Sequence, residues 1–358
     1  MTIAMLLSGG VDSSVALRLL AEEGHTITAF YLKIWLEDDL AFLGDCPWEE
    51  DLDYARKVCA QIGVSLEILP LQREYRQQVV EHTLSELRAG RTPSPDILCN
   101  QRIKFGEFVH RIGPHFEKIA SGHYAQVEER AGLHWLKRSP DPVKDQTYFL
   151  CRLSQEQLGK ILFPVGHLTK SQVRELAAKY QLPTQNRKDS QGICFLGKIS
   201  YPDFVRCHLG EKEGLIVEER SGRVLGKHSG YWFHTIGQRQ GLGLSQGPWY
   251  VIRKDVGSNT LFVSHSAELS KKSLQNFQVK DTHWICGPPQ NCVLQTKLRH
   301  TSNLENCTIQ FLDSSGSRLK VCLENPDSGI APGQSAIFYK GDYCLGGGII
   351  DEPNPGSD

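Results

Sequence analysis

The sequence predicts an α/β protein: a doubly wound parallel sheet, followed by a small central strand-rich domain and a C-terminal β-barrel. Three observations carry the prediction. Short apolar runs alternate with helix-periodic segments as far as about residue 195. The alternation then stops and glycine becomes frequent. From about residue 275, strand-like segments are separated by Asp-Ser-Ser-Gly and Lys-Gly-Asp turns.

The first apolar run is residues 2–7 (TIAMLL), ended by Ser-Gly-Gly; Val15, Leu19 and Leu20 then recur at helical spacing until Gly24. The pattern repeats with TITAFYLKI as strand, EEDLDYARKVCAQIG as helix, VSLEILPL as strand, EYRQQVVEHTLSELRAG as helix and KIASGHYA as a fourth strand. Strands alternating with helices imply right-handed crossovers and ligands at the carboxyl ends of the strands. The central domain is expected in LGEKEGLIVEERSGRVLGKHSG and HTIGQRQGLGLSQG, and the barrel in CVLQTKLRH, CTIQFLDSSGSRLKVCLE and SAIFYKGDYCLGGGII. The resulting boundaries are 1–195, 196–272 and 273–352, with 353–358 (PNPGSD) as a tail.

At 358 residues and 40% hydrophobic content the chain is long enough for two or three cores. Forty Lys and Arg against 41 Asp and Glu give a net charge of -1, so a nucleic-acid surface has to be a local patch. The eleven cysteines form no C-x-x-C pair and fit a reducing compartment. MTIAMLLSGG has neither the basic start of an export signal nor the length of a membrane span, and a cytoplasmic location is expected. Asn306-Cys307-Thr308 is read as a chance match to a glycosylation sequon.

Ser8-Gly9-Gly10-Val11-Asp12-Ser13-Ser14 lies between the first strand and the first helix and resembles the PP-loop of adenine nucleotide alpha hydrolase-like proteins. Two glycines let backbone amides approach a pyrophosphate, serine hydroxyls donate to its oxygens, and the helix N-terminus adds a favourable dipole. Leu6, Leu7, Ser8, Gly9, Gly10, Val11, Asp12 and Ser13 are therefore candidate ATP-binding residues, with Asp12 beside Mg²⁺. Leu32 near the end of the second strand and Gly122 at the end of the fourth are expected in the same pocket. Gly222 to His228 has three residues between its glycines and no Ser or Thr after Lys227, so it is a hairpin turn rather than a Walker A loop. The PP-loop resemblance implies ATP cleavage between the α and β phosphates and an adenylated acceptor.

Cys99 follows a proline-bearing loop with Arg102 and Lys104 nearby, cations that favour a thiolate, and Cys194 lies in DSQGICF beside Gly192. The other nine cysteines are read as small buried apolar residues. The motifs SGGVDSS, PDILCNQRIKF, SGHYA, KDQTYFL, DSQGICF and GQSAIFYKGDYCLGGGII, in this order, resemble the tRNA-specific 2-thiouridylase family across nearly the full chain. The resemblance implies an adenylated uridine (position 34), Cys194 as carrier of a persulfide, Cys99 as nucleophile, and a transient Cys99–Cys194 disulfide that reductant reopens. It makes Asp96 a base-contacting or proton-handling carboxylate. As tRNA contacts it implies Ser94, Pro95, His123, Lys144, Asp145 and Gln146 in the first domain. In the barrel it implies Arg299 and His300, beside Lys297 in a basic stretch, and Gln334. His300 stands where relatives often carry an aromatic residue. The implied partners are the tRNAs for Lys, Glu and Gln and a sulfur donor, either a cysteine desulfurase or a carrier relay. Two other classes share parts of this pattern: a PP-loop ligase or amidotransferase acting on a small molecule, and a non-enzymatic RNA-binding protein.

Overall fold

The computed structural model describes residues 1–34, 47–188, 200–269, 273–290, 292–300 and 303–351. Strand β1 (Thr2–Leu6) is the centre of a five-stranded parallel sheet with β2 (Thr26–Lys33) and β3 (Ser65–Pro70) on one side and β4 (Lys118–Ser121) and β7 (Ile161–Leu162) on the other. Its apolar run reflects burial of both faces: Ile3 and Met5 enter one core with Val15, Leu17 and Val58, while Ala4 and Leu6 enter another with Phe30, Phe105 and Ile119. The first seven helices cover this sheet and the edge of the barrel. They are α1 (Val11–Glu22), α2 (Pro47–Ile62), α3 (Gln72–Tyr75 and Glu81–Arg88 about a π-helical Arg76–Val80), α4 (Pro95–Leu98 and Phe108–Ile112 about a π-helical Cys99–Glu107), α5 (Thr147–Leu150), α6 (Gln155–Lys160) and α7 (Lys170–Lys179).

Two details depart from expectation. KIASGHYA is not one strand: β4 stops at Ser121, and Ala125 begins the hairpin β5 (Ala125–Arg130) and β6 (Leu133–Arg138), which joins the barrel through β6 and its last strand. Gly122 and His123 make the break. Cys99, expected beside a loop, lies within α4, because Pro95 in the first turn starts a helix instead of preventing one.

After α8 (Tyr201–Leu209), β8 (Gly214–Glu218), β9 (Val224–His228), β10 (Trp249–Asp255) and β11 (Thr260–His265) form a small sheet in the order β10-β11-β8-β9, followed by α9 (Ser266–Leu269). Gly222 adopts a φ of 70° in the turn between β8 and β9, so the Walker-like stretch is the hairpin its sequence suggested. The last six strands are β12 (Leu274–Trp284), β13 (Val293–Lys297), β14 (Glu305–Phe311), β15 (Leu319–Asp327), β16 (Ser335–Lys340) and β17 (Tyr343–Ile350). Their order is β12-β15-β14-β13-β16-β17, and β17 pairs back with β12, which closes the barrel. The segment between α3 and α4 touches both later domains: Tyr231 Oη donates to Arg88 O at 2.6 Å, and Thr92 N donates to Pro332 O at 2.8 Å. The chain leading into the helix of Cys99 thus touches both later domains.

Candidate active site

The Ser8–Ser14 loop leaves the carboxyl end of β1, beside β4, where the order of strands reverses from one side of the sheet to the other. Gly9 has a φ of 74°, and a Cβ there would lie 2.2 Å from Asp51 O. The loop is tied internally: Ser8 N donates to Ser13 Oγ at 3.3 Å, Gly10 N to Ser8 Oγ at 3.4 Å, and Ser14 Oγ to Gly10 O at 2.7 Å. Gly10 caps α1 without a side-chain acceptor, and Asp12 lies in the first turn. The early amides of the helix lack intrahelical carbonyls, which is the arrangement that receives an anion.

Two cations absent from the sequence reading hold this loop. Lys170 Nζ donates to Asp12 Oδ1 at 2.6 Å, and Tyr124 Oη donates to the same oxygen at 2.8 Å. Arg187 Nη1 donates to Gly9 O at 2.8 Å, pairs with Asp51 Oδ1 at 2.8 Å, and lies over the Tyr54 ring. Neither was accessible from spacing, since Lys170 is 158 residues from Asp12. Among the described residues no group of three or more His, Cys, Asp or Glu is placed to hold a metal. With Asp12 as one carboxylate, the donors fit a magnesium ion carried by nucleotide phosphates rather than one caged by protein.

Gly122, His123 and Tyr124 join three parts of the site. A Cβ on Gly122 would lie 2.7 Å from Ser13 N. The His123 ring, held by Ser121 Oγ at 2.8 Å from Nδ1, packs on Phe105 of α4 and on Phe163. Burial, with the Lys104 ammonium, keeps the imidazole well below its ordinary pKa, so it is neutral at pH 7. Tyr124 N donates to Gln146 Oε1 at 2.9 Å.

Cys99 is 1% exposed and packs with Leu71, Val79, Ile103 and Phe204. Arg102 donates to Gln78 O at 2.9 Å. Next to Cys99, Asn100 donates to Phe149 O at 3.2 Å, and its buried Oδ1 has no partner among the described residues. Cys194, with the rest of DSQGICF, lies outside the described residues, as does Cys46. Of the remaining cysteines, Cys59, Cys151, Cys307 and Cys344 are buried as expected, while Cys207, Cys286, Cys292 and Cys322 are half-buried. Burial pushes the thiols of Cys59 up to about 11 and Cys151 up to about 12, which leaves them unreactive.

The Lys144–Gln146 segment is set differently from expectation. The Asp145 carboxylate is 0% exposed and accepts from Arg138 Nε at 3.1 Å and Thr147 Oγ1 at 2.9 Å, with Lys297 Nζ at 4.0 Å. Its side chain therefore ties this segment to β6 and β13. Lys144 N donates to Asp141 Oδ1 at 3.0 Å. His300 Nε2 donates to Asp145 O at 3.2 Å, and the ring stacks on Phe149 at 4.5 Å and feels the Asp96 charge. The His300 ring thus stacks on the protein's own Phe149. Tyr148 bonds Ser94 and, through Oη, Ser335 O at 3.1 Å. Ser94, Pro95, Asp96, Asp145, His300 and Gln334 are consequently neighbours at one junction of α4, α5 and the barrel. Arg299 is engaged by Asp327 at 2.6 Å, and Gln334 keeps a buried Oε1 without a partner among the described residues. Leu32 is half-buried at the end of β2 against the cores on either side.

Residues 1–198 match the family described as tRNA methyl transferase HUP domain, residues 202–265 its PRC-barrel domain, and residues 274–350 the aminomethyltransferase beta-barrel domain. Over 98% of its length the chain is 44% identical to tRNA-specific 2-thiouridylase MnmA 1 of Bacteroides thetaiotaomicron, covering 99% of that protein. It is 45% identical to MnmA of Parabacteroides distasonis and 42% identical to MnmA of Porphyromonas gingivalis, in each case over 98% of this chain and 99% of the relative. With a nucleotide loop at the sheet's switch point, three matching domains and full-length likeness to these proteins, the chain belongs to the tRNA-specific 2-thiouridylase family.

Proposed function

We propose that this chain is a tRNA-uridine 2-sulfurtransferase that adenylates O2 of a wobble uridine with ATP and replaces that oxygen with sulfur, releasing AMP and pyrophosphate. The observation that carries the reading is the run Gly122-His123-Tyr124: its three residues touch, in turn, the nucleotide loop, the helix that carries Cys99, and Gln146 beside Lys144. This strand end thereby joins the loop assigned to ATP, the helix of Cys99 and the segment assigned to tRNA.

Uridine O2 attacks the α-phosphorus, the α–β bridge breaks, and pyrophosphate leaves as N3 gives up its proton. Asp96 is the carboxylate assigned to that proton. The amides of residues 8–13 and Lys170 bind the phosphates, and neutral His123 shapes the apolar wall beside the base. Magnesium, brought with ATP and touching Asp12, would neutralise phosphate charge. A persulfide on Cys194 delivers its terminal sulfur to C2, and AMP departs. Cys99 thiolate either attacks the Cys194 sulfur after this addition or first frees hydrosulfide from the persulfide. Either order ends in a Cys99–Cys194 disulfide that a two-electron reductant returns to thiols. The acceptors are the tRNAs for Lys, Glu and Gln, the sulfur comes from a desulfurase or a carrier relay, and the reaction is cytoplasmic. Among the described residues no helix is long and apolar enough to cross a membrane.

The test is mass spectrometry of nucleosides from unmodified tRNA incubated with the protein, ATP, Mg²⁺ and a persulfide source, with AMP followed in parallel. 2-Thiouridine with matching AMP supports the reading. Folded, ATP-binding protein that yields neither product overturns it and favours the small-molecule ligase.

A further inference from the structure

A closed hydrogen-bonded circuit joins the nucleotide loop to the Lys144–Gln146 segment. Starting at Asp12, Oδ1 accepts from Tyr124 Oη at 2.8 Å. The backbone of Tyr124 then pairs twice with Gln146, N to Oε1 at 2.9 Å and O from Gln146 N at 2.9 Å. One residue back along the chain, Asp145 N donates to Asp141 O at 2.9 Å. The Asp141 carboxylate, on a residue 9% exposed, takes Val143 N and Lys144 N on Oδ1, each at 3.0 Å, and Lys170 N on Oδ2 at 2.8 Å. Lys170 Nζ returns to Asp12 Oδ1 at 2.6 Å.

We propose that Asp141 is a positioning residue that couples occupancy of the nucleotide loop to engagement of tRNA by the Lys144–Gln146 segment. The inference rests on the sulfurtransferase reading above. Asp141 touches neither substrate. Its two oxygens hold two different elements, the turn that presents Lys144 and the first turn of α7 that presents Lys170. Only a carboxylate offers acceptors at both ends of so short a side chain; an amide would turn an N–H donor toward one of these N–H groups. A shift of the Lys144 turn on tRNA therefore moves the N-terminus of α7, and with it the ammonium beside Asp12. By linkage, nucleotide binding prepares the same turn for tRNA to the same extent. The Lys144 ammonium on its own turn acts on Asp141, and Lys170 on the facing helix reaches it through its backbone N.

The test measures the dissociation constant of α,β-methylene-ATP, which cannot be cleaved at the scissile bridge, with and without saturating unmodified tRNA. In the wild type, tRNA tightens the analogue by about tenfold or more, within the usual range of coupling between sites. In Asp141→Asn this factor falls below about threefold, while the constant without tRNA changes by less than about threefold. Tyr124→Phe opens the circuit at another point and lowers the factor similarly, and the double variant is no worse than either single one, as expected for groups in one network. A wild-type factor near one overturns the proposal. So does an Asp141→Asn protein that loses affinity equally with and without tRNA, the mark of a merely structural role. Thiolation by the same wild-type preparation is scored separately, so that absent thiolation strikes the sulfurtransferase reading, and thiolation without coupling strikes this one.

Discussion

Gly122→Ala tests the junction between β4 and the nucleotide loop directly. A Cβ at this position would lie 2.7 Å from Ser13 N, 2.8 Å from Ser13 Cα and 2.9 Å from Asp12 C, all backbone atoms of the first turn of α1. No side chain can rotate away to relieve the contact. Ordinary contact begins near 3.4 Å, so the helix start and the strand end have to separate by about 0.7 Å. Gly122 does not have a positive φ, so alanine is not strained by its own backbone and the effect is steric alone. Overpacking of this kind costs about 1–3 kcal/mol of stability. Catalysis is more sensitive: if a misplacement of about 1 Å costs about 100-fold, this displacement lowers kcat/KM for ATP by roughly tenfold or more. The assay is AMP release at saturating tRNA, with urea unfolding in parallel and Gly257→Ala, which meets nothing nearer than 3.4 Å, as control. If Gly122→Ala forms AMP within threefold of wild type and unfolds at the same urea concentration, the close approach of β4 to the loop is refuted.

Four further outcomes are expected. Lys170→Met removes the ammonium beside Asp12 and should cut kcat/KM for ATP about 100-fold or more, while changing stability by at most about 1 kcal/mol because the pair is partly solvent-screened; an unchanged ATP dependence would exclude the lysine from the phosphate site. Asp145→Asn leaves Arg138 and buried Lys297 without their carboxylate and should cost about 3–5 kcal/mol in urea unfolding; a cost below about 1 kcal/mol would mean that the junction is not built on this charge. His123 titrates below its unfolded value. As pH falls through about 6.5 the unfolded chain takes up a proton that the folded chain refuses, and stability drops by about 1.4 kcal/mol per pH unit, with no contribution above about pH 7. His123→Phe should remove that increment from the acid limb, and an identical slope would contradict a neutral buried imidazole. Cys194→Ser should abolish 2-thiouridine yet retain tRNA-dependent AMP; normal thiolation would sink its role as persulfide carrier.

Much of the fold was legible because its signals are local. The run from Thr2 to Leu7 reads as a parallel strand because both its faces are buried, and the Ser8–Ser14 loop carries its chemistry in consecutive residues. Where a local pattern had two outcomes, tertiary structure chose. KIASGHYA is apolar enough for one strand, yet it divides at Gly122 because Ala125 onward forms the β5–β6 hairpin, whose β6 pairs with β17 of the barrel, more than 200 residues away in sequence. Pro95 serves a loop or the first turn of a helix equally well, and the packing of Ile97 and Cys99 against two cores favours the helix.

The sequence by itself determined the fold class, the nucleotide loop, the paired interest of Cys99 and Cys194, and the family these motifs resemble, because each rests on residue type at short spacing. The tertiary structure alone decided which charges serve the loop and which serve the scaffold. Asp145, read as an RNA contact, is walled in by Arg138, Thr147 and Lys297, whereas Lys170, Arg187 and Asp141 emerged as the groups that hold the loop and its neighbours. The reason is physical: an ionic group's role is set by what lies within a few ångströms of it. For partners as far apart in sequence as Asp12 and Lys170, only the path of the folded chain brings them together.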